Sequence, residues 1–163
     1  MKGRVCSEGG FAVVTFHKFK KMNTASWVAT VKRGCLTKAI KDLKPVRVYG
    51  PWTVLCDNEP FLGAKDTAAA HKAAKISLCN IPAHSPDLNP VERFWAWLRK
   101  KLRAMHLQDA VAHRPVLGRA AYIARVRAVC KTKKAQAVAA SQAKLMKRVC
   151  KAVITKKGAA TGF

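Results

Sequence analysis

Two short β-prone runs at the start of the chain predict a β-hairpin. They cover residues 4–6 and 11–16, and the segment Ser7-Glu8-Gly9-Gly10 lies between them. Glycine adopts positive φ without steric strain, so this segment favours a tight turn between antiparallel strands.

The next pattern predicts an amphipathic helix between Thr24 and Pro45. Apolar residues recur there at steps of three and four, from Trp27 to Leu43. Thr24 has the hydroxyl side chain of a helix cap, and proline ends a helix because it lacks the backbone N–H. Gly34 lies inside the pattern and weakens the helix without forbidding it.

A strand, a helix and a second strand are predicted in the middle of the chain. Residues 52–56 and 76–79 are short runs without polar alternation, and an alanine-rich stretch covers about 65–75 between them. Such runs favour strands that are buried on both faces, so we expect Cys56 and Cys79 to be small buried hydrophobic side chains. Strands joined by a helix are normally parallel, and their carboxyl ends share the edge of the sheet where ligands bind. We place His71 on a polar face of the connecting helix.

A long amphipathic helix is predicted from Pro90 to about Met105. Asn89 or Asp87 is placed to cap it. Its apolar face includes Trp95, which we expect in the core rather than stacked on a base. A different side of this helix carries Glu92 followed by Arg99 and Arg103.

The C-terminal part of the chain predicts one or two helices rich in alanine and lysine. They begin near residue 119, with turns at 114–115 and 131–134. We therefore divide the chain into an α/β domain over residues 1–105 and a basic helical extension over residues 106–163.

Charge changes this picture because its distribution is uneven. The chain has 163 residues, with 32 lysines and arginines against 8 acidic residues, for a formal net charge of +24. Such an excess of positive charge favours a polyanionic partner and excludes an ordinary neutral enzyme surface. Residues 1–56 have a net charge of +9, residues 57–92 of −2 and residues 93–163 of +17. Acidic side chains concentrated between two basic regions would weaken DNA binding, so we expect some of them to bind cations.

Membrane and zinc-binding classes are not favoured. The longest apolar runs are a few residues, against roughly 20 for a membrane-spanning helix. The six cysteines include no CxxC pair and no short Cys/His cluster, so a structural zinc site is not expected and we interpret them as thiols.

Two acidic residues are predicted at the same edge of the sheet. Asp57 follows the first parallel strand, and Glu92 begins the helix after the second. Converging carboxylates can hold Mg²⁺ or Mn²⁺. The alternative is structural, because an Asp after a strand can form an Asx turn and a Glu in a first helical turn can complement the helix dipole.

Longer motifs around these two acids resemble the catalytic core of mariner-like DDE transposases. The motifs are Trp52-Thr-Val-Leu-Cys-Asp57-Asn58 and Ile81-Pro-Ala-His-Ser-Pro-Asp-Leu-Asn-Pro-Val-Glu92-Arg-Phe-Trp95, and 34 residues separate the two acids. The resemblance implies an RNase H-like mixed sheet flanked by helices. It also implies Mg²⁺- or Mn²⁺-dependent DNA strand cleavage and strand transfer in cut-and-paste transposition.

The same resemblance assigns roles to named residues. Asp57 and Glu92 would be catalytic and metal-binding, and the neighbouring Asn58, Asp87 and Asn89 would support them. The side chains near DNA phosphates would be Arg93, Arg99, Lys100 and Arg103. His84, in the loop before Glu92, could contact substrate or only bond to the backbone.

One part of the family pattern has no counterpart in these residues. Family members carry a first catalytic Asp on an opening strand, whereas Glu8 is the only acid before Asp42 and falls in the predicted hairpin turn. We therefore expect a sheet that lacks its first strand, no DNA-recognition helices ahead of it, and no strand transfer by this chain alone.

Two alternatives to an incomplete transposase domain stay open at this point. One is a basic nucleic-acid-binding protein without catalysis, and the other is a decayed transposon remnant. The transposase interpretation implies DNA as the partner and a homodimer in an intact family member. It implies the nucleus in a eukaryote, or the cytoplasm with the nucleoid otherwise.

Overall fold

The computed structural model describes residues 22–42, 51–83 and 85–158 together with four two-residue strands near the N-terminus. The strands are β1 (Lys2–Gly3), β2 (Cys6–Ser7), β3 (Gly10–Phe11), β4 (Val14–Thr15), β5 (Trp52–Cys56) and β6 (Ile76–Asn80). The helices are α1 (Thr24–Lys32), α2 (Cys35–Asp42), α3 (Lys65–Ala73), α4 (Pro90–Val111), α5 (Arg119–Lys131) and α6 (Lys133–Thr155). Two 3₁₀ turns, η1 (Pro60–Leu62) and η2 (Pro86–Leu88), precede α3 and α4.

The four N-terminal strands confirm the predicted hairpin. β1 pairs with β4 and β2 pairs with β3, both antiparallel. In every pair the two residue numbers add to 17, so the two short ladders share one register. The turn itself lies outside the described residues.

The prediction of one unbroken helix between Thr24 and Pro45 is wrong. Gly34 has φ +70°, and the helix stops there as α1 and restarts as α2. Left-handed φ is incompatible with a continuing helix, and glycine adopts it without the steric strain of a Cβ atom. The cap of α1 is Asn23 rather than Thr24, because the Asn23 side chain accepts a hydrogen bond from the Ser26 N–H at 2.9 Å. Leu43 and Pro45 lie outside the described residues.

The central strand–helix–strand unit is confirmed. β5 and β6 are parallel, with Trp52 opposite Ile76 and Cys56 opposite Asn80, and α3 connects them. The N–H of Ile81 donates to the carbonyl of Cys56 at 2.9 Å, which continues the ladder past the strand end. This parallel pair makes the fold class α/β.

Burial on both faces is wrong for this pair of strands. Residues of β5 alternate between half-buried and exposed, and Leu55 is 41% exposed. Cys79 is exposed and Cys56 is half-buried, so the two cysteines are not the buried side chains that we expected. In the described part of the chain, helices pack on one face of β5 and β6 only. The buried side chains on that face form a hydrophobic core, which consists of Val31, Leu36, Ile40, Ala70 and Ile76.

His71 belongs to the same side of the sheet and is buried, not on a polar helix face. It is 4% exposed, and the Trp27 Nε1–H donates to its Nε2 at 2.9 Å. This acceptor role requires the neutral imidazole, and burial lowers the pKa of His71.

The second core joins α4 to the C-terminal helices. The buried side chains are Phe94, Trp95, Leu98, Leu102, Val126, Val129, Cys130, Ala135 and Ala139. Trp95 is therefore in the core, as predicted. Two C-terminal helices are confirmed, with the turn at Thr132, whose hydroxyl accepts from the Ala135 N–H at 3.2 Å.

The long helix extends further than its apolar pattern predicts. α4 ends at Val111 rather than near Met105, so residue 105 lies inside it. Asp109, in its last turn, binds Arg114 in the following loop and Arg125 on α5. These hydrogen bonds, the one from Arg125 above all, hold the pKa of Asp109 below its ordinary value. No helix in the described ranges is long and apolar enough to cross a membrane.

Candidate functional site

Asp57 lies at the carboxyl end of β5, at the edge of the parallel pair. Its side chain is exposed, and its Oδ1 accepts a hydrogen bond from the Asn89 Nδ2 at 2.8 Å. Asn89 is only 8% exposed, so a buried amide fixes one oxygen of the exposed Asp57 carboxylate.

Asn89 also organises the start of α4. Its Oδ1 accepts from the Val91 N–H at 3.2 Å, and its backbone carbonyl accepts from the Glu92 N–H at 3.0 Å. The two side-chain hydrogen bonds identify the nitrogen and the oxygen of the Asn89 amide, because only the NH₂ group can donate to Asp57. Asn89, and not Asp87, is therefore the cap of α4, and it connects Asp57 to the turn that carries Glu92.

Glu92 stands in the first turn of α4 and is half-buried. Within the described ranges, neither Glu92 nor Asp57 forms an ion pair. This is notable in a chain with 32 basic residues. Asp57 is held by a neutral amide, which positions the carboxylate without neutralising its charge.

Two further contacts hold the loops at this edge. The Asn58 Nδ2 donates to the carbonyl of Ile81 at 2.9 Å, which ties the chain after β5 to the chain after β6. The Cys56 Sγ–H donates to the Asn80 Oδ1 at 3.1 Å. Burial, together with the negative charge of Asp57, raises the pKa of the Cys56 thiol, so it stays protonated. The motif did not predict this second contact, although Asn80 directly follows the apolar run of β6.

Comparison with known proteins identifies the family. The model of the DDE superfamily endonuclease family matches residues 1–112, which is more than half of the chain. The chain belongs to the DDE superfamily of endonucleases. The transposable element Tcb1 transposase of Caenorhabditis briggsae is 29% identical over 112 residues, which are 69% of this chain. The chain spans 37% of the length of that relative.

The acids of this DDE-family chain have the oxygen ligands that a divalent ion requires, and Asn89 links Asp57 to the helix turn that carries Glu92. Carboxylate oxygens are the preferred ligands of Mg²⁺ and Mn²⁺, and among the described residues no basic side chain pairs with Asp57 or Glu92. Over the residues described, no group of three or more His, Cys, Asp or Glu side chains is arranged to hold a metal. Asp87 lies in η2, half-buried, and His84 lies outside the described residues.

The basic residues expected near DNA fall into two groups on α4. Arg99, Lys100 and Arg103 are exposed, whereas Arg93 is half-buried, with one guanidinium nitrogen inaccessible to solvent. At 1.5 Å of rise per residue, Arg99 and Arg103 follow Glu92 by about 10 and 16 Å along one side of the helix. Glu92, Arg99 and Arg103 therefore form one line along this side of α4.

Proposed function

We propose that this chain is part of the catalytic domain of a cut-and-paste DNA transposase with an RNase H-like fold. Asp57 and Glu92 would be two of the metal-binding acids, and DNA would be the substrate. The observation that carries the proposal is the connection through Asn89, which links the carboxylate after β5 to the first turn of α4. The DDE family match over residues 1–112 supports it.

The residues at this edge would each contribute to positioning. Asn89 holds one oxygen of Asp57, Asn58 fixes the adjoining loop, and the helix start presents Glu92. Mg²⁺ or Mn²⁺ bound there would activate the attacking oxygen and stabilise the leaving oxygen of a phosphodiester. Arg99, Lys100 and Arg103 would hold phosphates along α4, and Asp87 would support the loop that leads to Asn89.

We further propose that these 163 residues do not cleave DNA alone. The family chemistry uses a third acid, and no acid before Asp42 other than Glu8 exists in the sequence. If one acid contributes a few kcal/mol in the transition state, its absence slows the reaction by orders of magnitude. Binding of an ion and of DNA would then persist without turnover.

The test measures Mn²⁺ binding by electron paramagnetic resonance. Asp57→Asn and Glu92→Gln should each weaken Mn²⁺ binding at least about tenfold, because each removes a charged oxygen ligand. Asp42→Asn is the matched control, since it removes one exposed carboxylate from the last residue of α2 and not from β5 or α4. Equal weakening in the control, or no Mn²⁺ binding by the unmodified chain, would contradict the proposal. Mg²⁺-dependent cleavage that requires Asp57 and Glu92 would contradict the proposed inactivity.

A second candidate is a nucleic-acid-binding protein without catalysis. It is favoured by residues 113–163, which contain 13 basic side chains and no acidic one. In that case neutralising both Asp57 and Glu92 would leave Mn²⁺ binding unchanged and would leave DNA binding unchanged or stronger. The Mn²⁺ measurement therefore separates the two candidates.

A further inference from the structure

The C-terminal helix α6 has a basic face that the family match does not explain. The match ends at residue 112, and α6 begins at Lys133. The helix carries six exposed cationic side chains and no acidic one. They are Lys133, Lys134, Lys144, Lys147, Arg148 and Lys151.

These six side chains lie on one side of α6. At 100° per residue they fall within an arc of about 140°, and the buried residues Ala135, Ala139 and Val149 lie on the opposite side. From Lys133 to Lys151 the face is about 27 Å long, which is the length of roughly eight base pairs of duplex DNA. The cationic groups therefore form a straight strip rather than a scattered surface charge.

The strip is rigidly attached and not neutralised. Ala135 and Ala139 are fully buried in the core shared with α4, and α6 also lies against β2, β3 and η2. None of the six cations forms an ion pair with any acid in the described part of the chain. Adjacent like charges at three- and four-residue steps repel each other, so the strip by itself destabilises the helix and an anionic partner would relieve that repulsion.

The chemistry of the strip fits a phosphate backbone better than bases or a membrane. The exposed uncharged positions within this arc are Ala137, Ser141 and Thr155, which offer no aromatic ring and no amide for reading a base edge. Membrane-surface helices present a broad apolar face to lipid, but the apolar side of α6 is occupied by the core and Ile154 is the large exposed apolar residue on this helix.

We propose that the exposed face of α6 binds the phosphate backbone of duplex DNA without reading its sequence. This surface shares no residue with the edge that carries Asp57 and Glu92, and the proposal rests on the charges of α6 rather than on the proposed catalysis. It would add affinity for any DNA and hold the duplex while other contacts select the position.

The test compares two variants that each lose four positive charges from the full chain. One is Lys144→Gln/Lys147→Gln/Arg148→Gln/Lys151→Gln on α6. The other is Lys32→Gln/Lys38→Gln/Lys65→Gln/Lys72→Gln, all exposed positions on α1, α2 and α3. Binding to two unrelated DNA duplexes is measured by fluorescence anisotropy across a salt series, with helix content checked by circular dichroism.

The α6 variant should bind both duplexes about 100-fold more weakly, and the slope of log affinity against log salt should fall by about 3 to 4. The control should lose less than about fivefold. Lys144→Arg/Lys147→Arg/Lys151→Arg keeps the charges and should bind like the unmodified chain, even if the glutamine variant folds poorly. Equal losses in both quadruple variants, or α6-dependent binding to anionic vesicles in preference to DNA, would overturn the proposal. Unchanged Mn²⁺ binding in the α6 variant is expected, so this test is independent of the acids.

Discussion

Asn89 shows how one side chain can serve both the fold and the proposed chemistry. Its amide nitrogen donates to Asp57 and its amide oxygen caps α4. The amide offers a donor and an acceptor on separate atoms of one short side chain without adding charge. Residues with a single function, such as an ordinary cap, would tolerate replacement by aspartate, but Asn89 should not.

We therefore expect Asn89→Asp to destabilise the protein by about 1–3 kcal/mol at neutral pH, because it removes a buried donor and brings a second carboxylate against Asp57. The loss should shrink as pH falls and the carboxyl introduced at residue 89 takes up a proton, because the protonated group can again donate a hydrogen bond. Urea unfolding at pH 7 and pH 4.5 measures both effects.

Asn23→Asp is the matched control for this prediction. Asn23 caps α1 by accepting from the Ser26 N–H, is exposed and has no carboxylate partner in the described residues. Aspartate accepts equally well at an N-cap and complements the helix dipole, so stability should change by less than about 0.5 kcal/mol. If Asn89→Asp and Asn23→Asp changed the free energy of unfolding equally little, the Asn89–Asp57 contact would not contribute to stability.

At the scale of elements, Gly34 determines how the chain between Asn23 and Asp42 is divided. The Gly34 N–H donates to the Val31 carbonyl at 2.9 Å, and its own carbonyl accepts from the Lys38 N–H at 2.8 Å. One glycine therefore closes α1 and opens α2. The change of direction lets Val31 and Leu36 enter the same core beneath β5 and β6.

Gly34→Ala should cost about 1–2 kcal/mol, because an L-residue is strained at φ +70°. No neighbouring atom lies within 4 Å of an added Cβ there, so the cost would come from the backbone alone. Gly118→Ala is the control, since Gly118 is equally open but has φ −63°. It should change stability by less than about 0.5 kcal/mol in the same chemical unfolding experiment. Equal costs at the two glycines would show that α1 and α2 do not depend on the left-handed turn.

At the scale of the whole molecule, α4 belongs to both the proposed site and the C-terminal core. Its first turn carries Glu92, and the next three turns bury Phe94, Leu98 and Leu102 against α5 and α6. Loosening that core would disturb the helix that presents Glu92. The C-terminal helices thus support the site mechanically, although the family match stops before them.

Leu98→Ala should destabilise the protein by about 2–5 kcal/mol, because Leu98 is fully buried and its removal leaves a cavity. Leu107→Ala, on the same helix at 66% exposure, should cost less than about 0.5 kcal/mol.

Cys130 provides a second readout, since burial raises the pKa of its thiol to about 11 and keeps it unreactive in the native state. Alkylation of Cys130 should be faster in Leu98→Ala and unchanged in Leu107→Ala. Equal rates in the two variants would mean that α4 and α5 are not held by this core.

The sequence by itself determined the order of the elements and the pair of candidate acids. Local periodicity and turn residues predicted the hairpin, the parallel strand pair, the long helix after Pro90 and the C-terminal helices. The rule that parallel strands end at one edge predicted that Asp57 and Glu92 lie at the same edge of the sheet. These features follow from the chain's local conformational preferences.

The tertiary structure alone decided which faces are covered and which partners the polar groups take. It buried His71 against Trp27, exposed Cys79 and Leu55, broke the helix at Gly34 and joined Asn89 to Asp57. Each of these outcomes except the break involves neighbours that are distant along the chain. Periodicity shows that a side chain can be buried, but burial itself requires another element to supply the covering surface.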